Sequence, residues 1–196
     1  MSLYGVIRLL SDQYGPGIAW STGHALLLLG ALGFIPVFLF LGTFASGSGR
    51  ASRINAAVGA VLGVLGSVSV AVQAAIDLYA AAVSGTQTEM VQWQLQFQSQ
   101  PLVMPLIYSV VPMCLYLGLI YLAGVLAFAR PRPVPVWIPI TLVLGVVAML
   151  LGLDFISLGT LLLAVALAPL ARFYKADRIS HGGGVRQAAE RSVRLP

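Results

Sequence analysis

The sequence predicts an all-α integral membrane protein, a bundle of about five transmembrane helices. Three observations predict it. Of 196 residues, 59% are hydrophobic and 9% are charged, whereas a soluble domain carries about 25% charged residues. Apolar runs recur along the chain, several of them as long as the ~20 residues a helix needs to cross the hydrocarbon. The basic residues gather in the joints between those runs and in the C-terminal tail.

The elements follow in order. Leu3, Val6, Ile7 and Leu10 fall at helical spacing ahead of the Gly15-Pro16-Gly17 breaker. They predict a short N-terminal interfacial helix. Its weakly charged start and the long apolar run behind it differ from a cleaved signal peptide. Span 1 is expected over 20–44, span 2 over 56–83 and span 3 over 102–129. Spans 4 and 5, over 136–151 and 155–171, are shorter and are separated by little more than Asp154 between flanking apolar residues. They read as a tight helical hairpin. Residues 1–171 then form one transmembrane domain, and 172–196 a basic tail with six basic residues against two acidic ones.

Orientation follows from the arginines. Arg50 and Arg53 lie in the joint between spans 1 and 2, Arg130 and Arg132 in the joint between spans 3 and 4. With five spans, both joints and the tail share one side. The positive-inside rule makes that side the cytoplasm, with the N-terminus out and the C-terminus in. Arginine outnumbers lysine ten to one and alanine is abundant, which suggests a GC-rich bacterial genome and hence the bacterial cytoplasmic membrane. The tail is expected to be a flexible end that touches anionic lipid.

Between spans 2 and 3 lies Val91-Gln92-Trp93-Gln94-Leu95-Gln96-Phe97-Gln98. It alternates strictly, as a strand does, yet Met90, Trp93 and Phe97 also form a helical stripe. A lone strand is marginal by itself. An interfacial helix or an extended lip is therefore preferred, and a strand would need a partner chain to complete it.

Composition excludes several function classes. The single cysteine, Cys114, supports neither a disulfide framework nor a thiolate cluster. His24 and His181 are far apart and no metal-ligand spacing occurs, so no metal and no cofactor are expected. The net charge of +5 sits mostly in the tail, which is no nucleic-acid signature.

Polar residues inside the apolar runs carry what functional signal there is. On span 2, Gly59, Gly63, Gly66, Ser69, Gln73 and Asp77 step by three or four and share one helix face. The glycines suit close helix packing. Gln73 and Asp77 must look into the bundle, because lipid satisfies neither an amide nor a carboxylate. On span 3, Pro105 and Pro112 perturb the helix, and Tyr108, Pro112 and Tyr116 share roughly one face. On span 1, Trp20 and His24 stand one turn apart. On one depth scale His24, Gln73, Asp77, Tyr108 and Asp154 belong to the same half of the membrane. Each also has a bland reading: Asp77 near the water boundary, His24 at the interface, Asp154 as a turn residue, the tyrosines as packing groups.

Three functions fit. The first is a non-catalytic accessory subunit, or a binder of a lipid or other apolar molecule. Its ligand contacts would come from Trp20, Gln73, Tyr79, Trp93, Tyr108 and Tyr116, and its protein contacts from span 2, residues 91–98 or the tail. The second is a membrane-embedded cyclase or isomerase acting on an isoprenoid or lipid-like substrate. Asp77 would be its acid, Asp154 or His24 the acid's partner, and the aromatic residues its wall. The third is a component of an oligomeric transporter.

Overall fold

A computed structural model describes residues 15–47, 49–129, 134–152 and 155–170. The expected N-terminal helix, Arg130, Arg132, Asp154 and the basic tail lie outside these residues. Among the described residues every regular element is a helix. They are α1 (Ile18–Ala45), α2 (Arg50–Val83), α3 (Gln87–Gln98), α4 (Met104–Phe128), α5 (Trp137–Leu151) and α6 (Ile156–Leu170). Three of them, α1, α2 and α4, are long and apolar enough to cross a membrane, while α5 and α6 are shorter apolar helices.

Local chemistry sets the boundaries. Gly17 caps the start of α1 in extended conformation, directly after Pro16. The α1–α2 turn is fastened by one hydroxyl: Ser52 Oγ donates to Ala45 O at 2.9 Å and accepts from the Gly47 N–H at 2.8 Å. Helix α3 begins with a capping-box sequence, Thr86-Gln87-Thr88-Glu89, whose return bond reaches one residue ahead of the N-cap. Thr86 Oγ1 accepts from the Glu89 N–H at 3.3 Å, and Glu89 Oε2 accepts from the Gly85 N–H at 2.7 Å. The first six residues of α4, Met104–Ser109, wind as a π-helix. Helix α5 ends at Gly152, whose φ of 154° suits a residue without a Cβ.

Helix α2 is the hub, packed against α1, α3 and α4. It can be, because its inward face is stripped of side chains. Gly59, Gly63 and Gly66 are all buried. A Cβ at Gly63 would overlap the Phe38 ring of α1, and one at Gly66 would overlap the Leu115 backbone of α4. Across from them, a Cβ on Gly118 would meet the backbone of Gly63. These three helices therefore approach to backbone contact, as small residues allow in apolar surroundings. Helices α5 and α6 meet the same way at Gly145 and Gly159. One core, from Ala31 and Phe38 through Leu115, Leu119 and Leu122 to Ile138, Leu142 and Leu163, joins α1, α2, α4, α5 and α6.

The outer surface is apolar as well. Along α2, Ile54, Val58, Val61, Leu65, Val68 and Val72 are exposed. Every helix of membrane length shows such a stripe. In water this surface would far exceed the few hundred Å² of apolar patch a monomeric soluble protein shows; against lipid tails it is the ordinary outer face of a membrane bundle.

Candidate functional site

Helix α3 folds back on the end of α2. Its Met90 is buried with Ala80 and Ala81, and Trp20 and Trp93 pack against that small cluster. Under this cap lies a polar group built from four elements.

Asp77 of α2 is its centre, 5% exposed. Gln94 Nε2, reaching down from α3, donates to Asp77 Oδ1 at 3.0 Å. The Tyr108 hydroxyl, from the π-helical turn of α4, points at the same oxygen from 3.5 Å. His24 of α1, 4% exposed, places Nε2 3.6 Å from Asp77 Oδ2. The other ring nitrogen, Nδ1, donates to the Trp20 carbonyl at 3.0 Å. Trp20 also stacks on the imidazole, with ring centroids 4.2 Å apart and planes 27° from parallel. Both carboxylate oxygens are thus engaged by side chains from three other elements.

The π-helix is what aims Tyr108. Its wider turn is closed by the Val110 N–H donating to Pro105 O, five residues back rather than four. Ser109 Oγ donates to Met104 O at 3.0 Å. Pro112 cannot donate to any carbonyl of the preceding turn, which favours this local rewinding. The turn is held to α2 by Ser69, whose Oγ donates to Leu106 O at 2.6 Å.

The structure thus brings Trp20, His24, Asp77 and Tyr108 together. Tyr79 and Trp93 lie beside the cluster but meet each other, edge to face, at 6.0 Å, and Phe97 meets Tyr79 at 6.1 Å. Gln73 is half-buried one turn deeper and takes no part in the Asp77 bonds. Tyr116 packs on the main apolar core, away from the cluster. Gly59, Gly63 and Gly66 line the α2 packing face. Asp154 lies outside the described residues. Gln94 is the member of the cluster that sequence reasoning missed. The signal was present: Met90, Trp93, Gln94 and Phe97 share one face at helical spacing.

Among the described residues no three of His, Cys, Asp or Glu gather as metal ligands would. No protein-family description, curated protein or solved structure matches the chain at a significant level.

Proposed function

We propose that the chain is a non-catalytic multi-pass membrane protein, an accessory subunit or a binder of a lipid or other apolar molecule. One observation carries this reading: both oxygens of Asp77 face protein groups, Gln94 and Tyr108 on one side and His24 on the other. A general acid must present its proton to a substrate. This carboxylate instead ties the cap helix α3 to α1, α2 and α4, as a structural clasp does.

The finer topology belongs to the same proposal. Five spans in the bacterial cytoplasmic membrane, N-terminus out and C-terminus in, put Arg50 and Arg53 at the cytoplasmic end of α2 and the Asp77 cluster toward the outside. Helices α5 and α6 then form a membrane hairpin. At 15 residues, α5 is about 22 Å long, short of the ~30 Å hydrocarbon, so flanking residues complete the crossing.

The acid-catalysis reading has one observation in its favour. Tyr108 reaches the carboxylate and Trp20 stacks on the neighbouring His24 ring, and aromatic rings of this kind steady cationic intermediates. Native mass spectrometry of protein purified gently from its own host separates these readings. A second polypeptide in fixed ratio supports a subunit, and a retained lipid or isoprenoid mass supports a binder. Isoprenoid turnover that Asp77→Asn abolishes in a folded protein would overturn the non-catalytic reading.

A further inference from the structure

The seam between α2 and α4 changes character along its length. Around Gly63, Gly66 and Gly118 it is closed to backbone contact. Toward the Asp77 end the glycines stop, and α4 winds as the π-helical turn Met104–Ser109, none of whose residues is buried. Ser69, Gln73 and Asp77 follow one another at four-residue spacing along the α2 face that meets this turn. Two of the three find partners there. Ser69 Oγ donates to Leu106 O at 2.6 Å, and the Tyr108 hydroxyl stands 3.5 Å from Asp77 Oδ1. Gln73, between them, is half-buried, and among the described residues no group bonds its amide.

Depth makes that vacancy costly. At 1.5 Å per residue, Gln73 stands about 27 Å along α2 from Asn55, at the arginine end, and about 9 Å short of Tyr79. Tyr79 and Trp93 meet edge to face at the level where aromatic residues mark a membrane interface. A hydrocarbon layer about 30 Å thick that begins at Asn55 therefore just encloses Gln73. Lipid chains satisfy neither the donors nor the acceptor of an amide. This is also the depth at which the head of an amphiphile gives way to its chain.

We propose that Gln73 marks a binding site in the α2–α4 seam for one uncharged amphiphile with a hydroxyl-bearing head and a long apolar chain. The site rests on the reading of the chain as a binder of an apolar molecule, and gives that molecule its chemical class. An amide both donates and accepts, and a hydroxyl answers both functions. A charged head finds no counter-charge here. Arg50 and Arg53 begin α2 at its other end. Asp77 is 5% exposed and engaged by Gln94 and Tyr108, so it is closed to a cationic head. The chain of the ligand has apolar surface to follow. Leu65 and Leu117, next in sequence to the seam glycines Gly66 and Gly118, are exposed.

Native mass spectrometry of the full chain, stripped of lipid in detergent and titrated with three probes of equal chain length, tests the site. Monoolein carries hydroxyls, methyl oleate carries only acceptors, and oleate carries a charge. The wild type should retain one monoolein per chain, and bind methyl oleate and oleate about tenfold or more weaker, the loss expected when a hydrogen bond is not made. Gln73→Met keeps the shape of the side chain without its amide. It should lose about tenfold or more in monoolein affinity while its lipid-free thermal midpoint stays at the wild-type value. The probe selectivity of the wild type stands as a test even if that variant fails to fold. Equal monoolein binding by wild type and Gln73→Met overturns the site and leaves the binder reading intact. Equal retention of all three probes overturns the hydroxyl-bearing class, and retention of none overturns the site and the binder reading together. A wild-type dimer that Gln73→Met dissolves also overturns the site, because the amide would then pair with a second copy. Isoprenoid turnover that depends on Asp77 overturns the non-catalytic reading alone.

Discussion

Asp77 accepts from Gln94 at 3.0 Å and sits 3.5 Å from the Tyr108 hydroxyl, so removing its carboxylate strands buried polar groups on neighbouring helices. Each stranded group costs about 1–3 kcal/mol. Asp77→Ala is therefore expected to destabilise the folded protein by about 2 kcal/mol or more, read as a lowered midpoint in thermal unfolding in detergent. Gln94→Ala should cost about 1 kcal/mol, and the double variant less than the sum, because both remove the same bond. Additive effects would show that Gln94 and Asp77 do not interact. Ser69→Ala, which loses the 2.6 Å bond to Leu106 O, should cost about 1 kcal/mol independently of that pair. At this scale the sequence was partly legible. Polar residues in apolar runs must turn inward, so His24, Asp77 and Tyr108 could be grouped by depth alone. Their pairing could not, because depth says nothing of rotation about each helix axis. Gln94 was hidden by its neighbours: glutamines alternating with apolar residues suggest a strand surface, where each glutamine points to water.

Helix α3 shows how local chemistry settles what periodicity leaves open. Period-two and helical patterns fit residues 91–98 equally well, but Thr86-Gln87-Thr88-Glu89 is a capping box that only a helix start uses. Thr86→Ala should cost about 1 kcal/mol of α3 stability and raise amide exchange across 87–98 while leaving α4 unchanged. The π-helix opening α4 was less legible. Pro105 and Pro112 announce a perturbed helix, yet a kink and a wider turn are alternative answers to one missing N–H. The choice is made by tertiary contact, through Ser69 on Leu106 O. The glycines of α2 separate by environment in a way that composition does not reveal. Gly66→Ala drives a methyl into the Leu115 backbone and should destabilise by about 1–3 kcal/mol. Gly33 of α1 has nothing within 4 Å of an added Cβ, so Gly33→Ala should be neutral or stabilising by up to about 1 kcal/mol. Equal losses at the two positions would contradict the packing of α2 against α4.

Among the described residues, the polar contacts between side chains of different helices stand toward the two ends of α2. At one end the Tyr121 hydroxyl donates to Asn55 Oδ1 at 3.0 Å, close to Arg50 and Arg53. At the other stands the Asp77 cluster beneath α3. About 33 Å of α2 separates Asn55 from Asp77 at 1.5 Å per residue, close to the thickness of the hydrocarbon. The helical membrane class was legible because apolar runs of that length have no other stable use. The number of crossings was not, since 15-residue α5 can cross only with help from its flanks and the basic joint before it lies outside the described residues. Topology is therefore the last prediction. In a Cys114→Ala background, Gln96→Cys lies on the exposed side of α3 and Ser52→Cys near the start of α2. A membrane-impermeant maleimide added to intact cells should label position 96 and spare position 52, which should react only after lysis. The positive-inside rule demands this order, because Arg50 and Arg53 flank Ser52, whereas 84–101 carries no basic residue. The reverse pattern would turn the bundle over and place the His24–Asp77 site toward the cytoplasm.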